Sequence, residues 1–305
     1  MFETLVVSTR SPGVAQIMMN RPAVFNAFDE AMIAELDDAF ARLIADASVR
    51  VIVLAGAGKH FSAGADLQWM QRASQASREW NLADARKFAG MLARIESAPK
   101  PTVARVQGAA LGGGVGLTAA CDIAIAADNA SFSVSEAKFG ILPSVIGPYV
   151  TNAVGKRQAK RLALTTERIV AAEALALGLV QKLVALDALD ATVDATVEQL
   201  LAGGPNAQRE IKTLFAQLHV GPDHRPRREP GAGPRLALDE PRVPAEMTMK
   251  PSPISDALLC PSRRVFLASA GAFIAWANLP RPAYAATRDP RFVAVILRGA
   301  MDGLA

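Results

Sequence analysis

The sequence predicts an α/β fold, and three observations predict it. Strand-like and helix-like segments alternate through the N-terminal half, Val51-Ile52-Val53-Leu54 is a continuous apolar run of the kind buried on both sheet faces, and glycine-rich turns lead from strand to helix. Alternation of this kind calls for right-handed crossovers. Composition agrees. The chain has 305 residues, 51% hydrophobic and 20% charged, with a mean hydropathy of +0.20, enough apolar material for a sizeable core and too much for a disordered chain.

Residues 1–20 read as two strands around a turn at Ser11-Pro12-Gly13, and Asn20-Arg21-Pro22 breaks the pattern. Asp29 is a good N-cap for a helix whose apolar positions Met32, Ile33, Leu36, Phe40, Leu43 and Ile44 recur at helical spacing. After the strand at Val51–Leu54, a second helix is predicted from Leu82 to Ser97, with Phe88, Met91, Leu92 and Ile95 on one face and Pro99 and Pro101 stopping it. Strands follow at Thr102–Val106 and Asp122–Ala127. Beyond Ser131 the pattern is mostly helical, with helices at Lys156–Thr165, Ala171–Leu177 and Asp187–Leu201 and a short strand at Val180–Val184.

The pattern then collapses. Pro222, Pro226, Pro230, Pro234, Pro241 and Pro244 forbid regular structure between Gly221 and Glu246, which reads as a proline-rich disordered linker. Three regions are therefore expected: a catalytic domain over 1–220, a linker over 221–246, and an appended segment over 247–305. Within the last, Ser262-Arg263-Arg264-Val265-Phe266-Leu267, an apolar run to Leu279 and Ala283-Tyr284-Ala285 have the order of a twin-arginine export signal. The run is about 15 residues against the roughly 20 a spanning helix needs, so no membrane association is expected. Met1–Arg10 alternates like a strand and carries no leader pattern, and an internal signal should not export a folded domain that precedes it. A cytoplasmic protein is expected.

Several chemistries fail on spacing. Cys121 and Cys260 build no disulfide framework and fit no zinc pattern, and His60, His219 and His224 make no ligand set, so no metal is expected. A dinucleotide-binding frame starting at Gly112 needs glycine where Leu117 stands, and a phosphate-binding loop ending in Gly58-Lys59 or Gly155-Lys156 needs glycine at Val53 or Val150. The net charge of +4 is spread along the chain, which argues against nucleic acid as a partner.

Two stretches remain: Gly56-Ala57-Gly58-Lys59-His60-Phe61-Ser62-Ala63-Gly64-Ala65-Asp66-Leu67 and Val106-Gln107-Gly108-Ala109-Ala110-Leu111-Gly112-Gly113-Gly114-Val115-Gly116-Leu117. Each places unpaired backbone N–H groups at a helix N-terminus, where the orphan donors and the dipole favour negative charge, so the two could jointly cradle one oxygen. The glycines also serve tight turns and close helix packing.

In order and flanking strands, Phe61-Ser62-Ala63-Gly64-Ala65-Asp66-Leu67, Gly108-Ala109-Ala110-Leu111-Gly112-Gly113-Gly114 and Ala120-Cys121-Asp122-Ile123-Ala124-Ile125-Ala126 resemble the enoyl-CoA hydratase/isomerase (crotonase) superfamily. The resemblance runs from Met19-Asn20-Arg21-Pro22 to about Val220. Ala63 to Met70, taken with Ser135 to Pro143 and Ile146 to Val150, looks most like bacterial methylglutaconyl-CoA hydratases. It implies a spiral of ββα units with a mostly helical C-terminal part, and an oxyanion hole for a thioester carbonyl made by the backbone N–H groups of Ala65 and Gly113. It implies Glu136 as the acid/base and an acyl-CoA partner, with coenzyme A part of the substrate and no separate cofactor. Substrate contacts are expected from Lys59, Ala63, Asp66, Gly112 and Gly116, with Arg21 a weaker candidate for the CoA phosphates. A homotrimer or hexamer is expected of the family.

The sequence departs from the family at one position. Typical hydratases carry two glutamates, and where the first would stand this chain has Gly116. Isomerases of the same fold use one, so hydratase, isomerase and a non-catalytic thioester binder all stay open, with the hydratase preferred. The expected substrate is a short branched 2-enoyl-CoA, 3-methylglutaconyl-CoA in leucine and isoprenoid breakdown above all.

Overall fold

A computed structural model describes residues 2–218; the expected linker and signal-like segment lie outside the described residues. Chain order begins with β1 (Leu5–Ser11), β2 (Val14–Met19), α1 (Glu30–Ala45), β3 (Val51–Gly56), α2 (Leu67–Gln75), α3 (Arg78–Ser97), β4 (Thr102–Val106), β5 (Ala109–Leu111) and α4 (Gly113–Ala120). It continues with β6 (Ile123–Ala127), β7 (Ser131–Ser133), α5 (Gly147–Thr165), β8 (Ile169–Val170), α6 (Ala171–Leu177), β9 (Lys182–Val184), α7 (Leu189–Ala202) and α8 (Pro205–Gln217).

The main sheet has the order β1-β2-β3-β4-β6-β9, with β1 antiparallel to β2 and every other pair parallel. Because side chains alternate along a strand, Ile52 and Leu54 of β3 enter a core with Ile17, Leu36, Phe40 and Met91, on the side of α1 and α3. Val51 and Val53 point the other way, into a smaller cluster with Val103, Ile125 and the α7 residues Leu189, Val193 and Val197. All four are fully buried, as their unbroken apolar run predicts. A second, three-stranded sheet, β5-β7-β8, lies at the C-terminal ends of this array.

Side-chain caps set the starts of α1, α2 and α3. Asp29 caps α1 as expected, accepting from the Met32 N–H at 3.1 Å. Periodicity alone puts the next helix at Leu82, whereas α3 begins one turn earlier because the Ser77 hydroxyl caps it, accepting from the Trp80 N–H at 3.2 Å. The helix expected from Lys156 is the second half of α5. Gly155, at φ +75°, interrupts a helical run that starts at Gly147. Neither β5, β7 and β8 nor α8 is foreseen by periodicity: the strands are too short to show alternation, and α8 keeps Ile211, Leu214 and Phe215 exposed. No helix of the described residues is long and apolar enough to cross a membrane.

Candidate active site

The two glycine-rich stretches meet. Ser62 and Ala110 form a parallel bridge, the Ser62 N–H donates to the Ala109 carbonyl at 3.0 Å, and the Leu111 N–H donates to the Ser62 carbonyl at 2.9 Å. The approach leaves no room for side chains. A Cβ at Gly64 would lie 2.5 Å from the Leu111 carbonyl oxygen, and one at Gly108, where φ is +60°, would lie 2.1 Å from that of Lys59. His60 closes the junction, its Nδ1 accepting from the Ala109 N–H at 3.0 Å.

The chain on either side is pinned, so that Ala65 and Gly113 are held rather than merely near. The Phe28 N–H donates to the Gly64 carbonyl at 2.8 Å and the Asp66 N–H to the Phe28 carbonyl at 3.0 Å. Gly112 donates to the Ser133 carbonyl at 2.8 Å. Gly113 is the first residue of α4, where an N–H has no intrahelical acceptor. Among the described residues neither the Ala65 nor the Gly113 N–H has a hydrogen-bonded partner. Both residues line one cavity of about 100 Å³.

Glu136 lines the same cavity. It opens a one-turn 3₁₀ segment, Glu136–Phe139, after β7, and its Oε1 lies 3.2 Å from where a Cβ on Gly112 would sit. Its Oε2 is buried and has no hydrogen-bond partner among the described residues. Loss of water therefore dominates, and burial pushes the carboxyl up to about 7. A buried carboxylate with one oxygen unpartnered, in the same cavity as two unused N–H donors, can take a proton from one atom and return it to another near neutral pH.

The walls are apolar. Phe28, Trp69, Met70, Phe88, Ile141 and Ile146 are among the residues that form them, and the Phe28 ring stacks at a tilt on Phe88 (5.1 Å between centroids) and Trp69 (6.1 Å). Gly113 supports this packing, since a Cβ there would fall 2.1 Å from Phe28 Cζ and 3.0 Å from Phe88 Cζ.

Other residues singled out in the sequence lie elsewhere. The Asp66 carboxylate caps α2, accepting from Gln68 at 2.8 Å and Trp69 at 3.4 Å, and pairs with Arg21 at 3.1 Å. Arg21 is also bound to Asp29 and to the Ala27 carbonyl, so its guanidinium is occupied by the fold and not left for a phosphate. Lys59 is exposed on the loop after β3, and Ala63 is half-buried with its N–H given to the Phe25 carbonyl; neither lines the cavity. Gly112 sits against Glu136, and Gly116 faces Ile146, whose Cγ2 would be 2.5 Å from an added Cβ.

One cavity residue is not foreseen. Asp84 of α3 is 9% exposed, and its Oδ2 accepts from the Trp69 indole N–H at 3.1 Å. Burial and then the charge of Glu30 push it up to about 6, against the Trp69 hydrogen bond and the charges of Lys87 and Arg72. A signal exists in the sequence. The apolar face of Phe88, Met91, Leu92 and Ile95, continued toward the N-terminus at helical spacing, reaches Asp84 and Asn81, two polar residues on a buried stripe. Among the described residues no cluster of His, Cys, Asp and Glu is arranged to hold a metal ion.

This architecture recurs in known proteins. The short-chain-enoyl-CoA hydratase of Clostridium acetobutylicum is 36% identical over 214 residues, covering 68% of this chain and 79% of its own length. Among solved structures, Pseudomonas aeruginosa AtuE is 43% identical with a TM-score of 0.68, over 70% of this chain and 83% of its own. An enoyl-CoA hydratase from Shewanella pealeana is 40% identical with a TM-score of 0.69, over 72% of this chain and 81% of its own. The sequence pattern of the family described as enoyl-CoA hydratase/isomerase matches residues 9–222, which contain both glycine-rich turns, Glu136 and the cavity they enclose, and the chain belongs to that family.

Proposed function

We propose that this chain adds water to the double bond of a short 2-enoyl-CoA thioester. In this reading the thioester oxygen lies between the N–H groups of Ala65 and Gly113. Water attacks the β-carbon, Glu136 takes a proton from that water, electron density moves through the α-carbon onto the oxygen, and Glu136 returns the proton to the α-carbon. Preorganised donors at the oxygen are worth about 3–4 kcal/mol each in comparable sites. The observation that carries the reading is the buried, unpartnered Oε2 of Glu136 in the same cavity as two N–H groups that bond to nothing else. No further cofactor enters, because coenzyme A arrives with the substrate. Lys59, exposed on the loop after β3, is the candidate to meet its phosphates.

The preferred substrate in this proposal is a branched acyl chain, 3-methylglutaconyl-CoA. The cavity's small volume supports a short chain, and the resemblance of the segments around Trp69-Met70 and Glu136 supports the branched one. A specific observation also favours a second reading. With Ile146 against Gly116, that position offers no second carboxylate, and a single proton shuttle is all that moving a double bond requires.

A panel of 2-enoyl-, 3-enoyl- and 3-methylglutaconyl-CoA followed by mass spectrometry separates them. Gain of one water from the 2-enoyl and methylglutaconyl substrates is expected. A product of unchanged mass with a shifted double bond would replace hydration with isomerisation, and binding without turnover would leave a thioester-binding protein.

A further inference from the structure

Asp84 and Phe88 are one helical turn apart on the same face of α3, a rise of about 6 Å. Phe88 packs where a Cβ on Gly113 would be, so Phe88 adjoins the donor at Gly113, and Asp84 lies one turn away on the same cavity wall, about the reach of a short acyl chain. Trp69, Ala73, Ala85 and Phe88 line the cavity with it, and the amide of Asn81, the neighbouring polar side chain of the lining, is spent on the Ala73 carbonyl at 2.9 Å. Asp84 brings to this wall a carboxyl group whose Oδ2 is already committed to the Trp69 N–H, leaving Oδ1 without a protein partner among the described residues.

We propose that Asp84 is a specificity-determining residue that receives the far end of the acyl chain and, in its carboxylic acid form, donates a hydrogen bond from Oδ1 to a terminal carboxylate of the substrate. The proposal rests on the reading of the substrate as a carboxylated short enoyl-CoA. Two carboxyl groups in an apolar recess cannot both stay ionised, and one shared proton turns repulsion into a charge-assisted hydrogen bond. Burial first, and then Glu30, favour the protonated form of Asp84, whereas the Trp69 hydrogen bond, Lys87 and Arg72 oppose it. Glu30 of α1 is an anion already paired with Arg72 of α2 at 2.7 Å, Lys87 follows on α3 itself, and Glu136 is the other carboxyl of the cavity. With Asp84 held at about 6, most of it is ionised at pH 7, so binding a terminal carboxylate takes up a proton.

The test compares dissociation constants of two saturated, unreactive thioesters, 3-methylglutaryl-CoA and isovaleryl-CoA, from pH 6 to 8.5. They share the branched skeleton and differ in the terminal carboxylate, so any effect of Glu136 ionisation on thioester binding cancels in their ratio. The ratio for the wild-type protein should shift against the carboxylated ligand by about tenfold per pH unit above pH 7, as one-proton linkage requires. In Asp84→Asn, whose amide can hold both Trp69 and the ligand without titrating, the ratio should be flat. In Asp84→Leu the ratio should worsen at least about tenfold at pH 6, the cost of an unmade hydrogen bond to a charge. A flat wild-type ratio, or a folded Asp84→Leu that leaves the ratio unchanged, would overturn the role of Asp84. Failure of the substrate reading looks different: the ratio behaves as stated while 3-methylglutaconyl-CoA is not turned over.

Discussion

A Cβ placed on Gly116 would lie 2.5 Å from Cγ2 of Ile146, with Leu92 Cδ1 at 3.6 Å behind it. Position 116 is thus closed by the packing of Ile146, the last residue before α5, and a glutamate written into the sequence there would have no space. Gly116→Glu alone should lose several kcal/mol of stability through overpacking and a buried unpaired charge, roughly the sum of those two effects. Adding Ile146→Ala should recover a large part of it. Denaturant titration of both variants checks this, and equal stability of the single and double variants would show that the space is not shared.

Gly113 and Phe28 are coupled in the same way, through a contact of 2.1 Å between an added Cβ and the ring. Gly113→Ala keeps the N–H but displaces either α4 or the ring, and turnover should fall by about a hundredfold if the donor leaves the oxygen's position. Phe28→Leu should be milder, and the pair should be strongly non-additive in a double-mutant cycle. Additive losses would mean that the two residues do not meet.

Burial of Glu136 has a consequence for stability. Its carboxyl is pushed from an ordinary 4.5 up to about 7, so the folded state holds the proton more tightly than the unfolded chain. The stability this contributes is fully present below about pH 4.5 and is lost as pH rises through 7, a change of about 3 kcal/mol at most. Glu136→Gln should therefore be stabilising at pH 8 relative to its effect at pH 4.5, as read by unfolding midpoints at the two pH values. An equal effect at both would mean that the carboxylate finds a partner in solution.

Much of this was readable in the sequence, for physical reasons that differ by residue. Val51 to Leu54 declare a doubly buried strand because every position is apolar, and Asp29 declares a helix start because its carboxylate can reach the Met32 N–H. Ala65, Gly113 and Glu136 were reachable through the motifs that carry them, and the fold brings all three to one cavity. Asp66 was not: its place beside the motif suggested the substrate, whereas its carboxylate caps α2 and holds Arg21. Asp84 was missed because the helix read from periodicity starts only at Leu82, so the polar break that Asp84 and Asn81 make in its buried stripe shows its meaning only once the cavity is seen.

Acid should loosen α7 before the strands it covers. Arg105 and Arg10 clasp Asp190 at the start of α7 at 2.7 and 3.0 Å, and Arg105 followed by Arg10 holds its carboxyl down at about 2 against the opposing effect of burial. A depressed carboxyl contributes stability that is present above about 3.8 and lost as pH falls toward 2. The Asp190 side chain is 56% exposed, so solvent screening keeps the contribution small. Hydrogen exchange should show α7 amides losing protection on going from pH 4 to pH 2.5 ahead of β3, and Asp190→Asn should remove that difference.

In the proposed reaction Glu136 is the group that moves the proton, and the pH dependence of kcat/KM on a short 2-enoyl-CoA tests this most directly. Because the ionised carboxylate must take a proton from water, kcat/KM for hydration should rise with pH to a plateau through an apparent pKa near 7. In Glu136→Gln it should lie at least about a hundredfold lower with that ionisation absent, while the thioester still binds. Glu136→Gln with turnover within tenfold of the wild type, or with the same pH profile, would contradict it.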